Sequence, residues 1–184
     1  ALELEKMGVS LVIGPVFHKN LLFLDKVKNV TFLSLTNKTL ELHKNIISSG
    51  INSSSQLNTI KKFLEKNEIK KTIFLIPNLN YDLEIKKGIK ESKIKFYKQH
   101  NYDIDPTKLT KQIEKITNYG IRKQNLLDEI SRVEKSDDPN KEKIIENLEK
   151  KYTLGKVKFD SVVIADFDES LKSVVTSLLY TDVS

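Results

Sequence analysis

The chain reads as an α/β protein whose strands run parallel beneath helices. Four short segments, Val9–Ile13, Val30–Leu35, Thr72–Ile76 and Ser161–Ala165, are apolar along most of their length and do not alternate with polar residues. Amphipathic helical stretches separate them, and each ends where a polar or glycine-bearing loop begins. Strands of this kind need cover on both faces, which is the mark of a parallel sheet between helices. Ligands in such sheets bind beyond the carboxyl ends of the strands, so the loops that follow the four runs are the first place to look for function.

Taken in order, Val9–Ile13 is a strand closed by Gly14-Pro15, and Asn20–Lys28 a short helix with Leu21, Leu24 and Val27 on one side. Val30–Leu35 is the next strand, ended by Thr36-Asn37-Lys38-Thr39, and Ile46–Ser49 a third short one. Ser53-Ser54-Ser55 supply a cap for a helix through about Lys66, with Leu57, Ile60, Phe63 and Leu64 at helical spacing. The pattern then restarts with strand Thr72–Ile76, loop Pro77–Asn80, helix Tyr81–Glu91 and strand Lys93–Gln99. Asp105-Pro106 opens another helix, with Leu109, Ile113 and Ile116 inward. Two charged helices follow, the first with a stripe of Ile121, Leu126, Leu127, Ile130 and Val133, the second with Ile144, Ile145, Leu148 and Tyr152. The break Ser136-Asp137-Asp138-Pro139 folds them into an antiparallel hairpin over residues 118–152. Strand Ser161–Ala165 and helix Asp168–Tyr180 complete the order.

Composition shifts most sharply at Gly50-Ile51-Asn52-Ser53. Residues 1–50 are therefore expected to be part of a first lobe, and residues 51–184 a second lobe that includes the hairpin. The first lobe holds too few strands to bury a core alone, which predicts further sequence beyond this chain.

Composition also bounds the chemistry. Of 184 residues, 39% are hydrophobic and 30% charged, which suits a folded and not a disordered chain. The net charge is +6, yet Arg122 and Arg132 are the only arginines. Base readers and phosphate clamps favour the planar arginine fork, and the lysines here are scattered among acids, so no nucleic-acid partner is expected. There is no cysteine, which excludes disulfides, thiolate metal sites and a cysteine nucleophile. No run approaches the roughly 18 apolar residues of a membrane span. His18, His43 and His100 lie too far apart to suggest a metal site, and no cofactor motif is present. Asp166, Asp168 and Glu169, after the last strand, are the one arrangement that could hold Mg²⁺ for phosphoryl chemistry. The alternative is that Asp168 caps the final helix and Glu169 complements its dipole.

Val9-Ser-Leu-Val-Ile-Gly-Pro15, Phe32-Leu-Ser-Leu-Thr-Asn37 and Thr72-Ile-Phe-Leu-Ile-Pro-Asn78 with Tyr81 resemble, in order and spacing, the type I periplasmic-binding-protein fold. That receptor class includes the branched-chain amino-acid-binding proteins. Asn118-Tyr-Gly-Ile-Arg-Lys-Gln124, the charged hairpin, Phe159-Asp-Ser-Val-Val163 and Leu178-Leu-Tyr-Thr-Asp-Val183 resemble its bacterial branch described as penicillin-binding-protein activators. The resemblance implies an incomplete two-lobed structure and a non-catalytic protein of the periplasm, whether free or lipid-anchored. It implies a peptidoglycan synthase or other envelope protein as partner, and, as the alternative, transport binding of a small amino acid or carboxylate. It places a ligand cleft at His18, Lys19, Thr36, Asn37, Lys38 and Tyr81. His18, Lys19, Asn37 and Lys38 depart from the small hydroxyl residues with which the amino-acid receptors hold a ligand's charged ends. Thr36 and Thr39 alone keep that character.

Overall fold

The computed structural model describes residues 1–24, 26–37, 43–79 and 82–183. The chain forms two compact units, Ala1–Glu65 with Leu83–Ile94, and Lys66–Asp82 with Lys95–Ser184. Gly50, expected at a boundary, lies inside the first. A Cβ on Gly50 would sit 1.9 Å from the Thr36 carbonyl oxygen, so the composition shift marks two backbones in close approach and not a linker.

In the first unit β1 (Leu11–Ile13), β2 (Thr31–Ser34) and β3 (Ile46–Ser48) form a parallel sheet in that order. Val12 pairs with Phe32 and Phe32 with Ile46, so the three share one face. The segment between β1 and β2 is a 3₁₀ stretch over His18–Phe23, not the α-helix expected at Asn20–Lys28. Its apolar residues explain the difference. Leu21, Leu24 and Val27 recur every third residue, the period of a 3₁₀ turn, and Leu24 and Val27 donate N–H bonds three residues back. With Val30, Phe32 and Ile46 they form the core of this unit.

The other face of that sheet corrects the expectation of cover on both sides. Ile13 pairs with Leu33 and Leu33 with Ile47, making one apolar row. Leu11, Ile13 and Ile47 are 55%, 72% and 53% exposed. In the crossover between β1 and β2, Leu21, Leu24 and Val27 pack on the opposite face, while Val16, Phe17, Leu22 and Phe23 are exposed. The unit also holds α1 (Leu2–Lys6), whose Glu5 Oε1 accepts from Asn29 N at 3.0 Å. In α2 (Ser53–Lys66) the cap is a reciprocal pair, Ser55 N donating to Asn52 Oδ1 at 2.9 Å and Asn52 N to Ser55 Oγ at 3.1 Å. The first residue of α2, Ser53, donates its Oγ–H to the Glu84 carbonyl in α3 (Asp82–Ser92).

In the second unit β4 (Thr72–Pro77) is central between β5 (Lys98–Tyr102) and β6 (Ser161–Ile164), and all pairings are parallel. All six residues of β4 are buried, as a continuous apolar run requires. The strand expected at Lys93–Gln99 begins later. Pairing starts when Tyr97 N donates to the Thr72 carbonyl, and Phe96 stacks on Phe74 at 4.4 Å without entering the ladder. Then α4 (Pro106–Thr117) and α7 (Asp168–Tyr180) pack over one face, where Ile73, Leu75, Tyr102, Leu109, Ile113, Phe159, Val174 and Leu178 make the core. The start of α4 is as expected, with Asp105 Oδ1 accepting from Thr107 N and Lys108 N and Pro106 at the first helical position.

The hairpin is α5 (Tyr119–Glu134) and α6 (Lys141–Glu149), with a small core of Leu126, Val133 and Leu148 flanked by Ile130, Ile144, Ile145 and Leu154. Ile121 and Leu127, expected in its stripe, are exposed. Arg122 takes the inner position one turn before Leu126 and is buried. Its Nε donates to the Gly155 carbonyl, Nη1 to the Thr181 carbonyl, and Nη2 to Thr153 Oγ1 and the Asp182 carbonyl, at 2.7–3.1 Å. Among the described residues no helix is long and apolar enough to cross a membrane.

Candidate functional site

The loops after β1 and β2 leave the same carboxyl end of the first sheet, because those strands run parallel. Ser34 Oγ donates to the Pro15 carbonyl at 2.8 Å and ties the two loops together. His18 is half-buried at the start of the 3₁₀ stretch, while Lys19 and Asn37 are exposed. Thr36 is buried at 4% exposure; its N–H meets Ser34 Oγ and its carbonyl accepts from Ser48 Oγ. It holds the loop against β3 and Gly50. Lys38, Thr39 and Tyr81 lie outside the described residues.

Of the carboxylates after β6, Asp166 is held in the fold. Asp166 Oδ2 accepts from the hydroxyl of the buried Tyr102, and Oδ1 accepts from Phe167 N and Ser170 Oγ. Asp166 therefore fastens the start of α7, a role expected of Asp168, which is instead the first residue of the helix, with Phe167 at the cap position. Glu169 pairs with Lys172. Among the described residues no group of three or more His, Asp or Glu side chains is placed to hold a metal.

A cavity of about 470 Å³ lies wholly in the second unit, beside the edge strand β5 and near the amino ends of the strands. Alternation along β5 sends Tyr102 under α4 into the core, so Lys98 and His100 share that face. Both line the cavity. Across from them α4 contributes Gln112, Lys115 and Ile116, which fall on one helix face. Gln112 is pinned by accepting from Asp103 N at 3.0 Å. Asn118 ends α4 in the left-handed conformation and lies in the wall, as do Lys158 and Phe159 just before β6. Ile73, Tyr97 and Asn101 complete it.

The lining holds three lysines, one histidine and three side-chain amides, and no Asp or Glu. Burial first, and then the charge of Lys98, lowers the His100 pKa below its usual 6.5. Among the described residues Lys98, Lys115 and Lys158 form no ion pair. Lys98 Nζ stands 5.6 Å from the centroid of the Tyr97 ring, and lysines around a concave site with no acid beside them raise its positive potential. Such an arrangement suits the holding of an anion.

No protein-family model, curated protein or solved structure matches the chain.

The cavity has no counterpart among the sites expected from sequence, which lie at the carboxyl ends of the strands, whereas it opens near their amino ends. The available signal is local. Ser92–Tyr102 carries Lys93, Lys95, Lys98 and His100 without an acid, and Lys150–Phe159 carries Lys150, Lys151, Lys156 and Lys158 without one.

Proposed function

We propose that this chain belongs to a receptor-like, non-catalytic protein of the bacterial envelope, located in the periplasm, which acts by protein contact on peptidoglycan synthesis. The observation that carries the reading is the α5–α6 hairpin. It has its own apolar core and is braced at its base by the bonds of buried Arg122. Its outer face presents exposed Lys123, Asp128, Arg132, Lys141, Glu142, Lys143, Glu146 and Lys150. A rigidly mounted, charged projection gives a partner a surface to recognise, with steering by complementary charge. The sequence resemblance to penicillin-binding-protein activators supplies the partner class. The test is a pull-down of a peptidoglycan synthase by the intact protein. The reading expects capture, weakened when Lys141, Lys143 and Lys150 are changed to Glu, and it fails if the intact protein recovers no synthase.

A second reading, transport binding of an amino acid or small carboxylate, is favoured by the junction of the loops after β1 and β2 through Ser34 and Pro15. A specific ligand present at one hundred times its dissociation constant would add about 2.7 kcal/mol of stability. A thermal-shift screen of amino acids and carboxylates in which His18→Ala and Asn37→Ala abolish the shift would favour this reading over the first.

A further inference from the structure

We propose that the cavity between β5, α4 and the segment before β6 binds a small organic molecule in which a multiply charged anion, a phosphate ester or an aromatic dicarboxylate, is joined to a flat ring. This site is independent of the receptor reading and of the loops after β1 and β2. Three observations carry it. First, its volume of about 470 Å³ falls within the usual range of small-ligand sites. Second, the charge is one-sided. Three lysines elsewhere in this unit sit against acids, Lys108 with Asp103, Lys150 with Glu146 and Lys172 with Glu169. Around the cavity Lys98, Lys115 and Lys158 have no such partner among the described residues, and the wall contains no acid. An anion held in this wall would meet lysines and no carboxylate. Third, the walls are divided in kind. Ammonium donors and the amides of Gln112 and Asn118 occur together with the rings of Tyr97 and Phe159 and the side chains of Ile73 and Ile116. A bare ion would use only the first set, and a neutral ring only the second.

Lysine suits this task differently from arginine. Its ammonium is a point charge on a flexible stem, so three of them can close on an anion without the fixed fork of a guanidinium. The site therefore selects for charge and a flat body more than for one oxyanion geometry, which is why both headgroups fall within the proposal.

The test is calorimetric and NMR titration of the full chain at low salt with four probes: adenosine monophosphate, phthalate, inorganic phosphate and adenosine. The proposal expects adenosine monophosphate, phthalate or both to bind at one site, with shifts at His100 and Tyr97, and the tighter of the two identifies the headgroup. Inorganic phosphate should bind there more weakly, and adenosine should not bind. The exposed pair Lys115→Gln/Lys158→Gln should weaken the tighter probe about tenfold, the sum of two solvated ion pairs, with an unchanged circular dichroism spectrum. The control Lys172→Gln should leave it unchanged, and added salt should weaken it. The proposal is overturned if neither ringed anion binds, if adenosine binds as tightly as its monophosphate, or if the lysine pair makes no difference.

Discussion

Arg122 carries more of the second unit than any single apolar residue near it. It is 6% exposed, and its guanidinium satisfies carbonyls at positions 155, 181 and 182 together with the Thr153 hydroxyl. Removing the fork strands two buried acceptors, the Thr181 carbonyl and Thr153 Oγ1, and leaves two part-buried carbonyls without it. Arg122→Met is therefore expected to lower unfolding free energy by about 3–5 kcal/mol in denaturant titration. Arg122→Lys should recover little, because an ammonium cannot reach the same acceptors in one plane. Glycines give a second contrast. Gly50→Ala forces a methyl into the Thr36 carbonyl and should cost about 2 kcal/mol or more. Gly120→Ala, inside α5 with nothing within 4 Å of the new atom, should stabilise by about 0.5–1 kcal/mol. If both alanines behave alike in the same titration, the close approach of Gly50 to Thr36 is wrong. The Asp166 carboxylate belongs with this group. Asp166→Ala withdraws an acceptor from the buried Tyr102 hydroxyl and should cost about 1–3 kcal/mol.

At the level of elements, legibility followed burial. β4 was plain in the sequence because a central strand must be apolar throughout, and Thr72–Pro77 is. β5 was misplaced because an edge strand owes its place to backbone pairing. Lys98-Gln99-His100-Asn101 carry no apolar signal, while Ile94 and Phe96 just before them do. The hairpin was found from its turn, yet its inner face was misassigned. A charged Arg122 stands where an apolar residue was sought, and its partners lie 31 to 60 residues onward. The cavity shares both difficulties, since it is assembled from β5, α4 and the segment before β6, and each lysine alone looks like solvated surface. His100 on β5 gives this scale its prediction. Burial, and after it the charge of Lys98, favour its neutral form in the folded state. A folded pKa below the unfolded 6.5 means the unfolded chain binds the proton more readily. The stabilisation is thus complete above pH 6.5 and is lost as pH falls through the lower folded value. The urea midpoint should drop over that interval in the wild type, and less so in His100→Gln. Asp103 is held low chiefly by the backbone N–H of Asp105, and Glu129 by its bond to Arg132. Their losses come at more acid pH, so the two windows can be separated.

The two sheets of the molecule obey the same pairing rules and differ in what surrounds them. Both are parallel and three-stranded among the described residues, and parallel pairing is ordinarily kept where both faces are covered. The sheet of β4–β6 has a fully buried centre, whereas that of β1–β3 buries Val30, Phe32 and Ile46 on one side and leaves Leu11, Ile13 and Ile47 open on the other. The sequence could not distinguish them, since the runs containing β1 and β4 are equally apolar and the difference lies in where the intervening residues pack. The consequence can be measured by treating the two faces separately. Phe32→Ala should cost about 3–5 kcal/mol, because it opens a cavity among Leu21, Leu24 and Val27. Ile13→Lys with Ile47→Lys should change stability by no more than about 0.5 kcal/mol per site, since neither side chain is buried. The same pair should sharply reduce the fluorescence of an apolar dye such as anilinonaphthalene sulfonate, for which an open aliphatic row is a binding surface. A double lysine variant that lost stability on the scale of Phe32→Ala would mean that this face is covered in solution. The row Ile13–Leu33–Ile47 would then be core, and the first sheet would match the second.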